Sequence, residues 1–213
     1  MVVAVVPLKN LKSAKSRLSD ILVEGERQEL VLAMLNDVLV TLKESQLVEE
    51  IFIVADKHFN PVSNVQMITE TENRGYDEAI VEALRDSRVN EAQSMLILPA
   101  DLPLVTRDEL NIFIGNPEDK SIRIAGARDQ DGTNALLMKP PSLLATSFGV
   151  GSFERHKRVA SALSVKIKEI NLPGLAFDMD TEKDLIDFVK TKSDTNTYRF
   201  LNESGIVKRL TKL

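Results

Sequence analysis

Acidic side chains occur at two places in this sequence where a metal-assisted reaction could use them. Asp101 follows an apolar run at 95–98, and Asp178 and Asp180 lie close together much later in the chain. An ionised carboxylate in a partly buried crevice needs a positive partner. Mg²⁺ is such a partner, because it usually takes one or two protein carboxylates together with phosphate oxygens. We therefore expect Asp101 and Asp180 to bind Mg²⁺ and to act in catalysis, with Asp178 as the alternative metal ligand.

The same acidic residues also have plainer interpretations. Asp101 suits a turn or a helix cap, and Asp180 or Thr181 suits the cap of a helix that begins near Glu182. If the segment 178–180 is extended, its two carboxylates point to opposite sides, so that only one of them is expected to reach a metal. A capping role and a metal-binding role can coexist in neighbouring residues.

Positive charge is concentrated at the start of a chain whose formal net charge is −5. The first 19 residues contain no acidic side chain and four basic ones, which are Lys9, Lys12, Lys15 and Arg17. A cationic patch on an acidic protein suits a small anionic ligand better than a nucleic acid. A solvated basic surface is the alternative. Neither a Walker glycine pattern nor GxGxxG is present, which disfavours a P-loop ATPase and a standard dinucleotide fold.

Two later segments combine glycine with small polar residues. Thr133 lies in DGTN, ahead of an apolar stretch, and Gly149 and Ser152 lie in FGVGSF, ahead of a predicted helix. Glycine lets backbone N–H groups approach an anion, and a helix N-terminus adds a favourable dipole. Each segment by itself is equally compatible with an ordinary loop.

The pattern of apolar residues predicts the elements that must position these groups. Short apolar runs predict buried parallel strands at 2–6, 51–55, 95–98 and 122–127, with further strands at 135–138 and 165–170. Helical patterns occupy 26–42, 76–85 and 153–163, and capping-box signals begin helices after Thr106 and Thr181. Alternating strands and helices predict an α/β fold with one Rossmann-like domain, a mainly parallel central sheet and ligands beyond the carboxyl ends of the strands.

Composition narrows the protein class. Apolar residues make up 43% and charged residues 28% of the 213 residues, as is usual for one soluble globular domain spanning 1–213. The absence of cysteine excludes disulfides, thiolate catalysis and Cys-ligated metals. The apolar run 2–6 is too short for a signal segment or membrane span, so we expect a cytoplasmic protein without a membrane partner. The tail from about residue 190 is weakly periodic and suits a short helix packed on the domain or in a homodimer contact.

Six segments, taken in their order, resemble one known family. They are PLK…KSRL after the first strand, NRGYDEAI at 73–80, LPADLPL at 98–104, DGTNALL at 131–137, FGVGSF-x-x-H at 148–156 and DMDTEKDL at 178–185. Together they resemble the 2-phospho-L-lactate guanylyltransferases, whose relatives include phosphoenolpyruvate guanylyltransferases. The resemblance covers about residues 1–190. LPADLPL alone is shared with the wider class of sugar-phosphate nucleotidyltransferases.

The resemblance implies a GT-A-like nucleotidyltransferase fold, Mg²⁺ as cofactor, and GTP and a small phosphorylated carboxylic acid as substrates. The implied reaction joins GMP to 2-phospho-L-lactate, with release of pyrophosphate, in the biosynthesis of coenzyme F-420. Phosphoenolpyruvate as acceptor, another nucleotidyltransferase of this fold and a non-catalytic nucleotide-binding regulator are the alternatives. Sugar nucleotidyltransferases usually carry a glycine-rich loop after the first strand; this chain lacks one, so its triphosphate contacts must use basic side chains and backbone.

The resemblance also implies roles for individual residues. The residues expected to hold guanine and ribose are Asn73, Gly75, Asp77 and Glu78. Those expected to hold the phosphorylated acid are Thr133, Gly149 and Ser152. Some of Lys9, Lys12, Lys15 and Arg17 are expected to contact the triphosphate, with Lys15 acting in catalysis. The alternative for Asp77 and Glu78 is the acidic first turn of a helix.

Overall fold

Seven strands form one central sheet in the protein, whose computed structural model describes residues 1–8, 10–59, 65–70 and 75–211. Strands β1 to β7 are Val2–Pro7, Val48–Asp56, Gln66–Glu70, Ser94–Ile97, Ser121–Gly126, Thr133–Lys139 and Lys166–Glu169. Their order across the sheet is β3-β2-β1-β4-β6-β5-β7. Strand β6 is antiparallel to its neighbours β4 and β5, and every other pairing is parallel. The expectation of a mainly parallel sheet in an α/β fold is confirmed.

Helices cover both faces of this sheet. Helices α1 to α9 are Glu24–Glu44, Tyr76–Ala83, Ser87–Asn90, Arg107–Ile114, Ser152–Ala162, Pro173–Ala176, Glu182–Thr191, Asn196–Glu203 and Ile206–Leu210. Side chains of β1 alternate between the two faces of the sheet. Ala4 and Val6 belong to the core that the sheet shares with α1, α4, α7, α8 and α9. Val3 and Val5 belong to the core on the opposite face, which the sheet shares with α2, α3 and α5. A sheet buried on both faces explains why its central strands read as continuous apolar runs.

Helix α1 confirms the four-residue spacing of its apolar positions. Leu30, Met34, Val38 and Leu42 are all fully buried, because residues four apart lie on one helix face. Both predicted capping boxes are also present. The hydroxyl of Thr106 accepts the backbone N–H of Glu109 at the start of α4, and that of Thr181 accepts the N–H of Asp184 at the start of α7.

One strand and two short helices lie outside the predicted pattern. In strand β3, exposed Thr69 lies between buried Ile68 and buried Glu70. This run is too short and too polar to stand out from its surroundings. Helices α3 and α6 are single turns of four residues each. All three features follow from tertiary packing more than from local pattern.

The C-terminal tail packs on its own domain through helix α1. The buried carboxylate of Asp37 accepts four hydrogen bonds from the first turn of α8, two from Asn196 and two from Thr197, at 2.6–2.9 Å. Leu201, Ile206 and other residues of α8 and α9 extend the same core. The tail thus forms two short helices that pack on helix α1 and the adjoining core, and a homodimer contact through the tail stays a prediction. None of the described helices has the length and apolar character needed to span a membrane.

The hydrogen bonds between Asp37 and the first turn of α8 lead to a prediction about stability. Asp37→Ala removes the acceptor of four hydrogen bonds and leaves buried donors unpaired, so we expect the free energy of unfolding to fall by about 3 kcal/mol, despite the better helix propensity of alanine. Urea unfolding followed by circular dichroism measures the change. Asp20→Ala, at an exposed position, is the matched control. A loss for Asp37→Ala no larger than that of the control would show that the tail is not held by this carboxylate.

Candidate functional site

The loops that follow neighbouring strands meet at one edge of the sheet. The chain leaves β1 toward β2 and β3 on one side and later returns to place β4 on the other side of β1. Such a reversal of strand order opens a crevice beyond the carboxyl ends of the strands. Lys15 lies in the loop after β1, and Asp101 lies in the loop after β4. Sheet topology therefore brings Lys15 and Asp101 together.

Lys15 joins two carboxylates that are far apart in the sequence. Its Nζ donates a hydrogen bond to Asp101 Oδ2 at 2.7 Å and to Asp180 Oδ1 at 2.5 Å. The Lys15 side chain is 8% exposed, whereas those of Asp101 and Asp180 are 25% and 43% exposed. The ammonium group is therefore buried behind two carboxylates that still face the solvent-filled cleft.

The charged groups of this cluster shift the pKa values of Lys15 and Asp178. Burial alone would lower the pKa of Lys15, but the carboxylates of Asp101 and Asp180 outweigh burial and raise the pKa above its ordinary value. Burial raises the pKa of Asp178, and Asp101 and Asp180 raise it further, although a hydrogen bond from Asn134 acts in the opposite direction. Lys15 therefore stays a cation, and the carboxyl of Asp178 takes up a proton more readily than an ordinary aspartate does.

Backbone geometry holds the three side chains in place. Lys15 adopts a left-handed conformation (φ 51°, ψ 39°) between two short 3₁₀ turns, Leu11–Ser13 and Ser16–Leu18. A non-glycine residue in this conformation is strained, and such strain concentrates at functional sites. The backbone N–H of Met179 donates to the carbonyl of Asp101 at 3.1 Å. This bond ties the segment of Asp180 to the loop of Asp101 directly.

The two carboxylates that share Lys15 have the chemistry of a magnesium site. An oxygen of Asp101 and an oxygen of Asp180 each lie within 2.7 Å of the Lys15 ammonium nitrogen. Mg²⁺ usually takes one or two carboxylates from a protein when it also binds phosphates. Among the described residues, no three acidic or histidine side chains lie close enough together to hold a metal. The donor set thus fits a cation shared with a ligand's phosphates, and does not fit a metal held by protein alone.

Asp178 lies in the same cleft but has a different neighbour. Its Oδ1 accepts a hydrogen bond from Asn134 Nδ2 at 3.1 Å, and this amide also donates to the carbonyl of Leu175 at 3.0 Å. Within the described part of the chain, no hydrogen bond or ion pair joins the carboxylate of Asp178 to Lys15. This arrangement agrees with the expectation that the two carboxylates of the 178–180 segment take different directions. Asp180 contacts the ammonium group of Lys15, whereas Asp178 contacts Asn134 on β6.

Strand β6 brings the DGTN segment to the site from the opposite direction. Because β6 is antiparallel, its first residues, Thr133 and Asn134, lie at the edge where the parallel strands end. Thr133 is nevertheless buried, and its hydroxyl contacts Ser152 Oγ at 3.1 Å and His156 Nδ1 at 3.0 Å. Ser152 Oγ in turn accepts the backbone N–H of Thr133 at 2.9 Å. The hydroxyls of Thr133 and Ser152 therefore join β6 to the start of α5.

His156 completes this buried network. Its Nε2 accepts the backbone N–H of Ser147 at 2.9 Å, so that in the neutral ring Nδ1 carries the proton and donates it to Thr133. Burial is the main cause that lowers the pKa of His156 to about 4. The ring is fully buried, and it fixes the loop 147–151 that borders the cleft.

Helix α2 borders the cleft on the opposite side. Gly75 precedes it with φ +129°, a conformation that favours glycine. The carboxylate of Asp77 accepts the backbone N–H of Phe148 at 3.0 Å and therefore holds the glycine loop. Glu78 is exposed and lines the cleft. The use of these residues for guanine stays a prediction, and the contact of Asp77 adds a structural role that the sequence did not indicate.

The remaining predicted residues differ in position. A cleft of about 540 Å³, within the range usual for small-molecule sites, contains Arg17, Gly149 and the carboxyl cluster in its lining. Lys12 is exposed and lines a separate pocket beside Ala55, at the end of β2. Ser152 is buried outside both linings. The predictions for Lys9 and Asn73 lie outside the described residues.

Two contributors to the site were not selected from the sequence. Asn134 positions Asp178, and Tyr76 lies beside Lys15 and Asp101 in the cleft lining. Asn134 belongs to the DGTN segment, and its proximity to Thr133 was the available signal. For Tyr76, the available signal was its place directly after Gly75 at the start of a helix that faces the crevice.

The sequence matches one protein family over nearly its whole length. A family model described as guanylyl transferase CofC like matches residues 2–212. Over 190 residues the chain is 35% identical to the phosphoenolpyruvate guanylyltransferase of Sphaerobacter thermophilus, covering 86% of this chain and 90% of that protein. Over 206 residues it is 28% identical to the 2-phospho-L-lactate guanylyltransferase of Methanobrevibacter smithii, covering 95% and 90%.

Solved structures share the fold at low sequence identity. A Desulfovibrio desulfuricans protein, assigned provisionally to the nucleotide-diphospho-sugar transferases, aligns with a TM-score of 0.76 and 14% identity over 98% of this chain and 96% of its own. A CMP:2-keto-3-deoxy-manno-octonic acid synthetase solved with CTP aligns with a TM-score of 0.59 and 12% identity over 89% and 97%. At these identities the likeness concerns the fold alone.

The buried histidine generates a prediction of pH dependence. The pKa of His156 is about 4 in the folded chain against 6.5 for an ordinary histidine, so the unfolded chain binds the additional proton between these values. Stability is therefore lost as the pH falls from about 6.5 to about 4, by up to about 3 kcal/mol from this group.

Urea unfolding at intervals across this pH window measures the loss. His156→Gln removes the titrating group, and we expect a shallower fall of the unfolding midpoint than in the unchanged protein. The variant His58→Gln, at an exposed position, is the control and should keep the full slope. Parallel curves for the unchanged protein and His156→Gln would contradict the assignment.

Proposed function

The chain belongs to the family of CofC-like guanylyl transferases, and on that premise we propose that it transfers GMP from GTP to 2-phospho-L-lactate. The products are lactyl-2-diphospho-5′-guanosine and pyrophosphate. Activity of this kind would place the protein in the biosynthesis of coenzyme F-420. We propose that it works in the cytoplasm, as a homodimer and with Mg²⁺.

The observation that carries this proposal is the convergence of Lys15, Asp101 and Asp180 in one cleft. A nucleotidyl transfer brings two polyanions together, so that charge neutralisation and positioning supply most of the catalysis. The buried ammonium of Lys15 lies behind two carboxylates that face the cleft and can share a divalent cation. One ammonium group and two carboxylates carry a net negative charge by themselves, so a divalent cation bound by the carboxylates would make this place positive where the phosphates meet.

The proposed chemistry needs no general base. A phosphate oxygen of the acceptor attacks the α-phosphorus of GTP in line, a new P–O bond forms, and the bond to the β-phosphate oxygen breaks. The phosphate nucleophile is already an anion near neutral pH, so no proton has to be removed first. His156 is fully buried and its pKa is about 4. Both of its ring nitrogens form hydrogen bonds inside the protein, to Thr133 and to Ser147, so that it does not act as a base in the cleft.

The chain's own residues divide the work in this proposal. Lys15 offsets the negative charge of the transferred phosphoryl group, and Arg17, which is exposed on the cleft lining, attracts the outer phosphates. Asp101 and Asp180 would hold Mg²⁺, which neutralises phosphate charge and fixes the in-line geometry when bound. The backbone N–H groups near Gly149 hold the carboxylate or phosphate of the acceptor.

Phosphoenolpyruvate is a second candidate for the acceptor. The names of relatives favour it, since the Sphaerobacter thermophilus protein at 35% identity and a Rubrobacter xylanophilus protein at 33% identity are both phosphoenolpyruvate guanylyltransferases. The relative from a methanogen, which aligns over 95% of this chain, acts on 2-phospho-L-lactate by name. Both acids offer a phosphate and a carboxylate on adjacent groups, so the same cleft residues serve either one.

A charge-removing substitution tests the role of Asp101. Asp101→Asn keeps the shape of the side chain and removes its charge, so we expect Mg²⁺-dependent turnover to fall at least ~100-fold, with the fold intact. The matched control is Asp108→Asn on α4, whose side chain is 76% exposed and which should keep normal turnover. Normal activity of Asp101→Asn would remove this residue from the site.

A substrate panel tests the function as a whole. Pyrophosphate release is measured with GTP, ATP, CTP and UTP, each combined with 2-phospho-L-lactate or phosphoenolpyruvate. We expect release with GTP and 2-phospho-L-lactate, since the proposed donor and acceptor are both present. Faster release with phosphoenolpyruvate would favour the second candidate. Tight GTP binding without release in any combination would overturn the catalytic proposal.

A further inference from the structure

The hydroxyl of Tyr76 is a buried donor that no described residue pairs with. Its oxygen is shielded from solvent and finds no hydrogen-bond partner within the described part of the chain. Buried polar atoms are nearly always hydrogen-bonded, and leaving one unpaired destabilises the protein. An exception of this kind in a native fold calls for an explanation.

The position of Tyr76 supplies that explanation. The side chain lines a cavity of about 150 Å³ whose other polar side chains are Lys15, Asp101 and Asp180. It also lines the larger cleft that contains Arg17 and Gly149. Tyr76 therefore stands where these two spaces meet, next to the cation and the carboxylates of the proposed transfer site.

Packing fixes the ring in this position. The rings of Tyr76 and Phe148 are 4.6 Å apart between centroids, and Phe148 lies 5.0 Å from the ring of His156. The carboxylate of Asp77 holds the backbone of Phe148 as well. A ring held on one side by a buried aromatic network is an ordered donor, and a ligand gains affinity from a donor that is already in place.

The chemical state of the hydroxyl is also defined. Burial raises the pKa of Tyr76 well above its ordinary value, and the nearby carboxylates of Asp101 and Asp77 raise it further. The phenol is therefore neutral at every physiological pH and is able to donate a proton to a hydrogen bond. The acceptor that it lacks has to be rich in lone pairs and compatible with an adjacent ammonium group.

We infer that the Tyr76 hydroxyl donates a hydrogen bond to a phosphoryl oxygen of the bound nucleotide, beside the Lys15 ammonium group. A phosphoryl oxygen is an anionic acceptor, which suits both the neutral phenol and the cation. The inference rests on the proposed function, because it takes the nucleotide to occupy the cleft at Lys15. Tyr76 is thus assigned as a substrate-binding residue in addition to those predicted from the sequence.

A kinetic comparison separates this role from simple packing. Tyr76→Phe keeps the ring and its contact with Phe148 but removes the donor, so kcat/KM for GTP should fall about 10-fold or more. The urea midpoint should stay unchanged or rise, since an unpaired buried hydroxyl is removed. Tyr198→Phe on α8 changes the chain's other tyrosine and should alter neither quantity. Unchanged kcat/KM for Tyr76→Phe would overturn the inference.

A spectroscopic measurement tests the contact directly. The chain has no tryptophan and only two tyrosines, so Tyr198→Phe leaves Tyr76 as its single phenol. We expect the near-ultraviolet difference spectrum of this variant to change on addition of GTP and to stay flat with guanosine, which lacks phosphates. No change with GTP, or an equal change with guanosine, would overturn the inference.

The two proposals fail in distinguishable ways. Pyrophosphate release by the unchanged protein, together with normal kinetics of Tyr76→Phe, overturns the role of Tyr76 and leaves the transfer reaction standing. A spectral change with GTP but without pyrophosphate release in any combination supports the phosphoryl contact and overturns the transfer reaction. The spectral arm does not require turnover, so that it reports on Tyr76 in either case.

Discussion

The ammonium group of Lys15 lies between the carboxylates of Asp101 and Asp180, and the shape of the cleft depends on this contact. These residues are separated by 86 and 165 positions from Lys15, so no local pattern brings them together. Two carboxylates at such close range repel each other unless a cation lies between them. The backbone at Lys15 adopts the left-handed conformation, which is uncommon for a residue other than glycine.

Sheet topology makes the contact possible. Parallel strands β1 and β4 are neighbours at the point where strand order reverses, so that their following loops face one crevice. Strand β6 runs the other way, and its polar residues Thr133 and Asn134 therefore lie at the beginning of the strand. A buried network from Thr133 through His156 then fixes the glycine loop on the far side of the cleft. The rigid sheet edge thus positions groups that come from six separate segments of the chain.

Sequence patterns predicted those strands and helices that are defined by buried apolar residues or by side-chain caps. The central strands, helix α1 and both capping boxes were confirmed. The spacing of apolar residues and the capping side chains are properties of a short stretch of sequence, so they can be recognised without the fold. Strand β3 was missed, since Ile68 and Glu70 are buried by tertiary neighbours. For the site, residue types predicted the carboxylates and Lys15, but not that the Lys15 ammonium group pairs with both Asp101 and Asp180. The position of Tyr76 directly after Gly75 was a signal in the sequence, but the unpaired state of its hydroxyl is visible only once its surroundings are known.

A double-mutant cycle in single-turnover transfer tests the central claim most directly. The rates of the Asp101→Asn, Asp180→Asn and combined variants are compared at saturating GTP and acceptor. If the two carboxylates act as one unit through a shared cation, the double variant should be about as slow as the slower single variant. Losses that multiply across the two positions would show that the carboxylates act independently, and would contradict the account.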